Sequence, residues 1–226
     1  LRTVGLWQGE TRHTGWLRVE HRPEKEALAV TLSASLLPVL PQVLSRVKHL
    51  FDLYCEPERV YEALQSMNEL SPGLCRPGTR LPGCFDSFEM SVRAVLGQQI
   101  TVKAATTLAG RIAQRLGTAV DTGVEGLNRL FPTAEEILAL PGLGSLGVIS
   151  ARSRTIEGLA RAMAEGTVDF DCPANPEGEA QKLLSLPGIG PWSAQYIAMR
   201  TMGWTDAFPG TDLGIVKALA PRNKKE

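Results

Sequence analysis

The chain has 226 residues, with 24 Lys plus Arg against 24 Asp plus Glu, so no global positive field marks a nucleic-acid partner. A hydrophobic share of 43% can bury a sizeable core, in one large domain or two small ones. No apolar run approaches the roughly 18–20 residues that cross a bilayer and no basic-then-apolar leader opens the chain, so a membrane location is not expected. Leu1 in place of methionine and the charged run Arg222–Glu226 give both ends the look of cuts. Cys55, Cys75, Cys84 and Cys172 lie far apart without a Cys-x-x-Cys pair and read as reduced thiols, with no metal-ligand set.

In chain order, Trp16–His21 has strand content, Arg22–Glu26 is a charged turn, and Ala27–Leu32 alternates again. This predicts a β-hairpin over Gly15–Ser35. An isolated hairpin is marginal in water, so residues 1–37 are expected to be the remnant of an α+β domain whose earlier strands precede Leu1. After Pro38 the period becomes helical. Val43, Val47, Leu50 and Phe51 share a face, Pro57 and Glu58 open a helix carrying Val60, Tyr61 and Leu64, and Phe88–Val95 begins another. The expectation for residues 38–226 is a mainly α, two-part helical body. Proline and glycine punctuate it at 71–78, 81–83, 141–144, 173–176 and 187–191.

Two of these breaks repeat one pattern: Ile137-Leu-Ala-Leu-Pro-Gly-Leu-Gly144 and Leu183-Leu-Ser-Leu-Pro-Gly-Ile-Gly190. Each reads as helix, tight glycine hairpin and helix. In the second, Gly188 and Gly190 permit positive φ and close backbone approach, Ile189 can plug the interhelical seam, and Pro191 suits the first helical position. Exposed amides there, with the positive end of the following helix, can bind a phosphate without any lysine or arginine. Pro187-Gly188-Ile189-Gly190 taken alone reads first as a plain helix-helix turn and is a weak signal.

The wider context resembles the helix-hairpin-helix DNA glycosylase superfamily and, within it, the bacterial 3-methyladenine DNA glycosylase II family of alkyl-base glycosylases. The resemblance rests on Arg80-Leu-Pro-Gly-Cys84, Val92-Arg-Ala-Val-Leu-Gly-Gln-Gln-Ile100, Leu186–Arg200 and Phe208-Pro-Gly-Thr-Asp-Leu213. It implies base-excision repair of alkylated purines in double-stranded DNA by a bacterial, cytoplasmic, nucleoid-associated monomer. Neither an organic cofactor, an iron-sulfur cluster nor a catalytic metal is implied.

It also implies roles for particular residues. Asp212 stands where a loop enters a helix and reads from pattern as an N-cap; the resemblance makes it the catalytic carboxylate. Trp192 and Tyr196, four apart on one helical face, read from spacing as core, and by resemblance line the base pocket. An electron-rich ring on a cationic methylated purine gains about 0.5–2 kcal/mol that a neutral base does not. Gln98 and Gln99 match the segment that enters the minor groove and are the wedge candidates, Gln99 by position, although the family pattern has leucine there; the alternative is a helix junction relieved at Gly97. Bifunctional relatives carry a lysine two residues after the last hairpin glycine, where this chain has Trp192, and no lysine lies between Lys182 and Lys217. The rival readings are a bifunctional glycosylase/lyase for oxidised bases and a non-catalytic DNA-binding module. Asp206 is expected to be a solvated loop residue, and Arg93, Lys103 and Arg111 to be solvated helix cations.

Overall fold

The computed structural model describes residues 1–171 and 173–219, which leaves Cys172 and the run Arg222–Glu226 outside the described residues. The chain starts with a three-stranded antiparallel sheet in the order β1 (Arg2–Gln8), β2 (Thr11–Arg22), β3 (Ala27–Leu32). The expected hairpin is the β2–β3 pair, with Leu17 opposite Leu32 and Val19 opposite Val30. β1 is a strand that the hairpin pattern did not indicate, and it pairs antiparallel with β2 within the chain. Gly9 at φ 58° makes the tight turn that returns it onto β2, and Val4 and Leu6 face inward at period two.

Val4, Leu6 and Leu17 meet Leu36, Val39, Val43, Val47 and Phe85, so the sheet buries its apolar face on α1 (Leu40–Leu50) and the segment before it. Gly15 allows this closeness, because a Cβ there would overlap the Ser33 hydroxyl, which accepts the Trp16 amide at 3.0 Å. Then come α2 (Pro57–Leu64), α3 (Ser87–Leu96) and α4 (Val102–Leu116). Asp86 caps α3 by accepting the Glu89 amide at 2.7 Å, and Thr101 caps α4. The helices α5 (Ala134–Leu138), α6 (Ser150–Ala164), α7 (Pro176–Leu184) and α8 (Pro191–Ile197) complete the body, with α9 (Leu213–Leu219) at its edge. A capping box between Thr133 and Glu136 starts α5.

The larger core joins α3 through α8. Val92, Leu96, Ile112, Ile156, Leu159, Leu183 and Ile197 have no exposed surface. The sheet is tied to this body by Arg2 to Glu89 at 2.9 Å, Arg12 to Glu136 at 3.2 Å, and Thr3 Oγ1 donating to the Arg129 carbonyl at 2.7 Å. No described helix is long and apolar enough to cross a membrane. Cys55, Cys75 and Cys84 are free thiols, and burial pushes Cys84 up to about 12.

The two repeated breaks differ after their second glycine. The second passes directly into α8 at Pro191, whereas the first runs through a short 3-10 turn, Gly144–Leu146, and Gly147 at φ 86° before α6 begins at Ser150. Ile156 lies at the centre of the body with every surface covered. Ile156→Ala is expected to cost about 2–5 kcal/mol, read as a lowered urea midpoint with an unchanged denaturant slope.

Candidate functional site

The hairpin between α7 and α8 is set by its packing on α6. Gly188 has φ 86°, and a Cβ there would overlap the Thr155 hydroxyl, so the position needs glycine for conformation and for space. Gly190 differs from the expectation of a positive φ: it is extended at φ −92° and ψ 176°, and a Cβ would meet open space. Its bareness leaves the helix entrance accessible. Ile189 between them is 6% exposed and plugs the seam, while Pro187, Gly188 and Gly190 face solvent. No side chain caps α8 at Gly190, so the first-turn amides point outward without intrahelical acceptors.

A cavity of about 710 Å³ opens in front of this turn, with Gly188, Gly190 and Trp192 on one side, Gln98 and Gln99 on another, and Asp212 on the third. The loop before Asp212 is held by the Phe208 amide donating to Gln195 Oε1 of α8 at 3.0 Å and by the Asp212 amide donating to the Pro209 carbonyl at 2.9 Å. Asp212 then divides its two oxygens. Oδ1 accepts the amides of Gly214 at 2.8 Å and Ile215 at 3.3 Å, so it caps α9; Oδ2 accepts the Trp192 indole N–H at 2.9 Å. The indole bond first, and the two amides after it, hold the carboxyl below the usual carboxylate range, because each stabilises the charged form. Asp212 is therefore ionised at neutral pH. Asp206 is exposed and does not reach the cavity.

Trp192 and Tyr196 stack with centroids 4.9 Å apart and planes 8° from parallel. They do not share one recess with Asp212. Trp192 is a partition: Tyr196 lies behind it, lining a second recess of about 390 Å³ with Met90, Arg93, Val102 and Thr106. Arg200, in the π-helical turn Ala198–Met202 that continues α8, donates to the Tyr196 hydroxyl at 3.3 Å and to the Gly83 carbonyl at 3.1 Å.

The two glutamines separate. Gln98 Nε2 donates to the Gly188 carbonyl at 3.1 Å and to Ser193 Oγ at 2.9 Å, which binds the end of α3 to the hairpin. Gln99 is exposed at φ 56°, a left-handed conformation that costs a non-glycine residue on the order of 1 kcal/mol and turns its side chain off the helix path. Arg152 at the start of α6 donates to the Gln98 carbonyl. Sequence reasoning missed Ser193, Arg152, Thr155 and Arg200, whose partners lie 33–117 residues away in the chain, except for the local Tyr196 contact. Arg93, expected to be solvated, pairs with Glu89 at 2.8 Å and lies over Phe131. Among the described residues no group of His, Cys, Asp and Glu gathers as a metal site.

A glycine hairpin with free amides, facing a cleft that ends in a helix-capping carboxylate, has the form of a helix-hairpin-helix protein. The family model of HhH-GPD superfamily base excision DNA repair proteins matches residues 92–221, more than half of the chain, and the chain belongs to that superfamily. The AlkA N-terminal domain model matches residues 1–86. DNA-3-methyladenine glycosylase 2 of Escherichia coli strain K12 is 40% identical over 182 residues, covering 80% of this chain and 61% of that protein. The probable bifunctional transcriptional activator/DNA repair enzyme AlkA of Mycobacterium tuberculosis is 40% identical over 172 residues, 76% of this chain and 34% of that protein. The chain thus spans 34% to 61% of the length of these two curated relatives. The solved structure of a 3-methyladenine DNA glycosylase from Archaeoglobus fulgidus shares the fold, with a TM-score of 0.63 at 24% identity over 96% of this chain and 72% of that one.

Trp192→Phe retains the ring but deletes the foremost partner of Asp212. The carboxyl is expected to move up toward the ordinary range, as read by carboxylate carbon NMR across an acid titration; an unmoved titration would mean that the indole bond is not what depresses it.

Proposed function

We propose that this protein is a monofunctional DNA glycosylase that hydrolyses the N-glycosidic bond of alkylated purines, of the 3-methyladenine and 7-methylguanine type, in double-stranded DNA. The observation that carries the reading is the cavity in which an ionised Asp212, held at 2.9 Å by Trp192, faces the bare glycines of the hairpin. The family, base excision repair, supplies the reaction class, and the 40% identity to a 3-methyladenine glycosylase supports the substrate class.

In this reading the amides around Gly188 and Gly190 hold a phosphate beside the lesion, and the target nucleotide rotates out of the stack into the cavity. As the bond from the sugar to the base breaks, positive charge builds on the sugar ring, and the fixed negative charge of Asp212 stabilises it. The base leaves with the bonding electrons, neutralising the charge that alkylation gave it, and water adds to the anomeric carbon and releases a proton to solvent. Trp192 offers its face to that cationic base, with Tyr196 stacked behind to hold it. Gln99 is the proposed wedge, presented by its left-handed backbone, and Gln98 braces the hairpin behind it. No lysine lines the cavity among the described residues, which supports water over an amine as the nucleophile. The proposed setting is the bacterial nucleoid in the cytoplasm, with the protein acting as a monomer.

Asp212→Asn is expected to slow base release from methylated duplex by about 10²–10³-fold, measured by chromatography of freed purines, while borohydride traps no covalent adduct with either protein. Because Asp212 titrates below the ordinary range, wild-type release should not lose this group until the pH drops beneath that range. Unchanged release by the Asn variant would remove Asp212 from the mechanism.

A further inference from the structure

The first copy of the repeated motif, Leu140–Gly144, plays no part in the chemistry above. We propose that the loop Gly144–Gly147, with Arg111 and Arg115 of α4, is a second clamp for the DNA sugar-phosphate backbone, working beside the hairpin at Gly188. The inference rests on the duplex-binding part of the proposed function, not on its base-release step.

Both hairpins are seated on the same half of α6. A Cβ on Gly142, which has φ 112°, would lie 3.5 Å from Ser153 Oγ, and one on Gly188 would overlap Thr155. Ser153 and Thr155 are two residues apart, about 200° around the helix, so the hairpins flank α6 on opposite sides. Each hairpin is anchored by a buried middle residue, Leu143 at 0% and Ile189 at 6% exposure. Leu143 is also fixed by its amide, which donates to Ser153 Oγ at 2.9 Å. The two turns therefore form one rigid frame.

The recess beside the first hairpin differs in charge from the one beside the second. It measures about 600 Å³ and is bounded by Arg111, Gln114 and Arg115 on α4 and by Gly144, Ser145 and Gly147 on the loop, with no carboxylate in its lining. Arg111 and Arg115 are one turn apart on the same exposed face, and neither forms an ion pair among the described residues. Arg111 Nη1 donates to the Leu146 carbonyl at 3.4 Å, which parks the guanidinium over the loop and leaves its other donors for a ligand. Gly147 makes room for it, since a Cβ there would come within 2.9 Å of that nitrogen. Two unpaired guanidiniums against a glycine-rich loop suit phosphate oxygens. Two clamps seated on one helix suit a ligand that is itself a continuous polyanion, such as the duplex proposed to be held at Gly188.

The test is binding of the full chain to undamaged duplex at a series of salt concentrations. Arg111→Gln with Arg115→Gln is expected to weaken binding at least tenfold near 0.1 M salt and to flatten the plot of log affinity against log salt by about 2, since each phosphate no longer neutralised removes roughly 0.9 from the slope. Arg115→Gln alone, which disturbs no loop carbonyl, should flatten it by about 1. A control double variant, Arg18→Gln with Arg22→Gln on β2, removes the same charge elsewhere and should leave the slope unchanged. An unchanged slope in the α4 variants, or an equal drop in the β2 control, overturns the clamp. Absence of base release by the unaltered protein, with the α4 variants still flattening the salt slope, would count against the glycosylase reading alone.

Discussion

The site depends on one hydrogen bond, from the indole N–H of Trp192 to Oδ2 of Asp212. An aspartate that only capped α9 would be free to rotate on its loop. Here the first oxygen is taken by two amides of α9 and the second by a ring on α8, so the carboxylate plane is defined from both sides. The same bonds that orient it also keep it charged, because all three donors favour the anion. Structural cap and candidate catalyst are thus one residue in one state, and neither role displaces the other.

What fixes Trp192 is the hairpin, and what fixes the hairpin is α6. Trp192 is the second residue of α8, whose entry is set at Pro191 by the turn through Gly188, and that turn can close only because Thr155 meets a glycine. From the other direction, Arg152 on the same helix holds the end of α3 through the Gln98 carbonyl, and Gln98 grips the Gly188 carbonyl and Ser193. The cavity walls are consequently linked through polar contacts to a helix with a fully buried seam at Ile156 and Leu159. If the cleft receives a flipped nucleotide as proposed, such preorganisation favours it, since binding energy spent on ordering loops is not available for unstacking.

Much of this is legible in the sequence wherever the signal is local. The switch from period two to period 3.6 near Pro38, the Pro-Gly-x-Gly turns and the loop-to-helix position of Asp212 are read within a few residues of one another, and backbone sterics tie them to structure. β1 is legible in principle: Val4 and Leu6 alternate and Gly9 marks the turn, although the exposed Trp7 blurs the alternation of polar and apolar residues. What is not legible depends on distant pairs. Helical spacing puts Trp192 and Tyr196 on one face, but it cannot say that they stack on each other, with Tyr196 outside the Asp212 cavity. Likewise Gln98 and Gln99 are adjacent and chemically identical, and only the position of Gly188, ninety residues on, turns one into a brace and leaves the other exposed.

By composition alone a net charge of zero argues against a polyanionic ligand, and the fold shows why composition misleads. Carboxylates are spent inside the molecule: Glu89 serves both Arg2 and Arg93, and Glu136 serves Arg12 while closing the capping box of α5. The pairs with Arg2 and Arg12 join the sheet to the helical body, and each pair largely cancels its own charge. The cavity at Gly188 is lined instead by backbone amides and by the uncharged Gln98 and Gln99, and a separate recess beside the first hairpin is lined by Arg111 and Arg115 of α4, which form no ion pair among the described residues. The relevant quantity is therefore the charge left on a face after internal pairing, not the sum over the chain. By that measure a neutral protein can present a local positive surface, and its grip on DNA would rest on a few placed dipoles and cations.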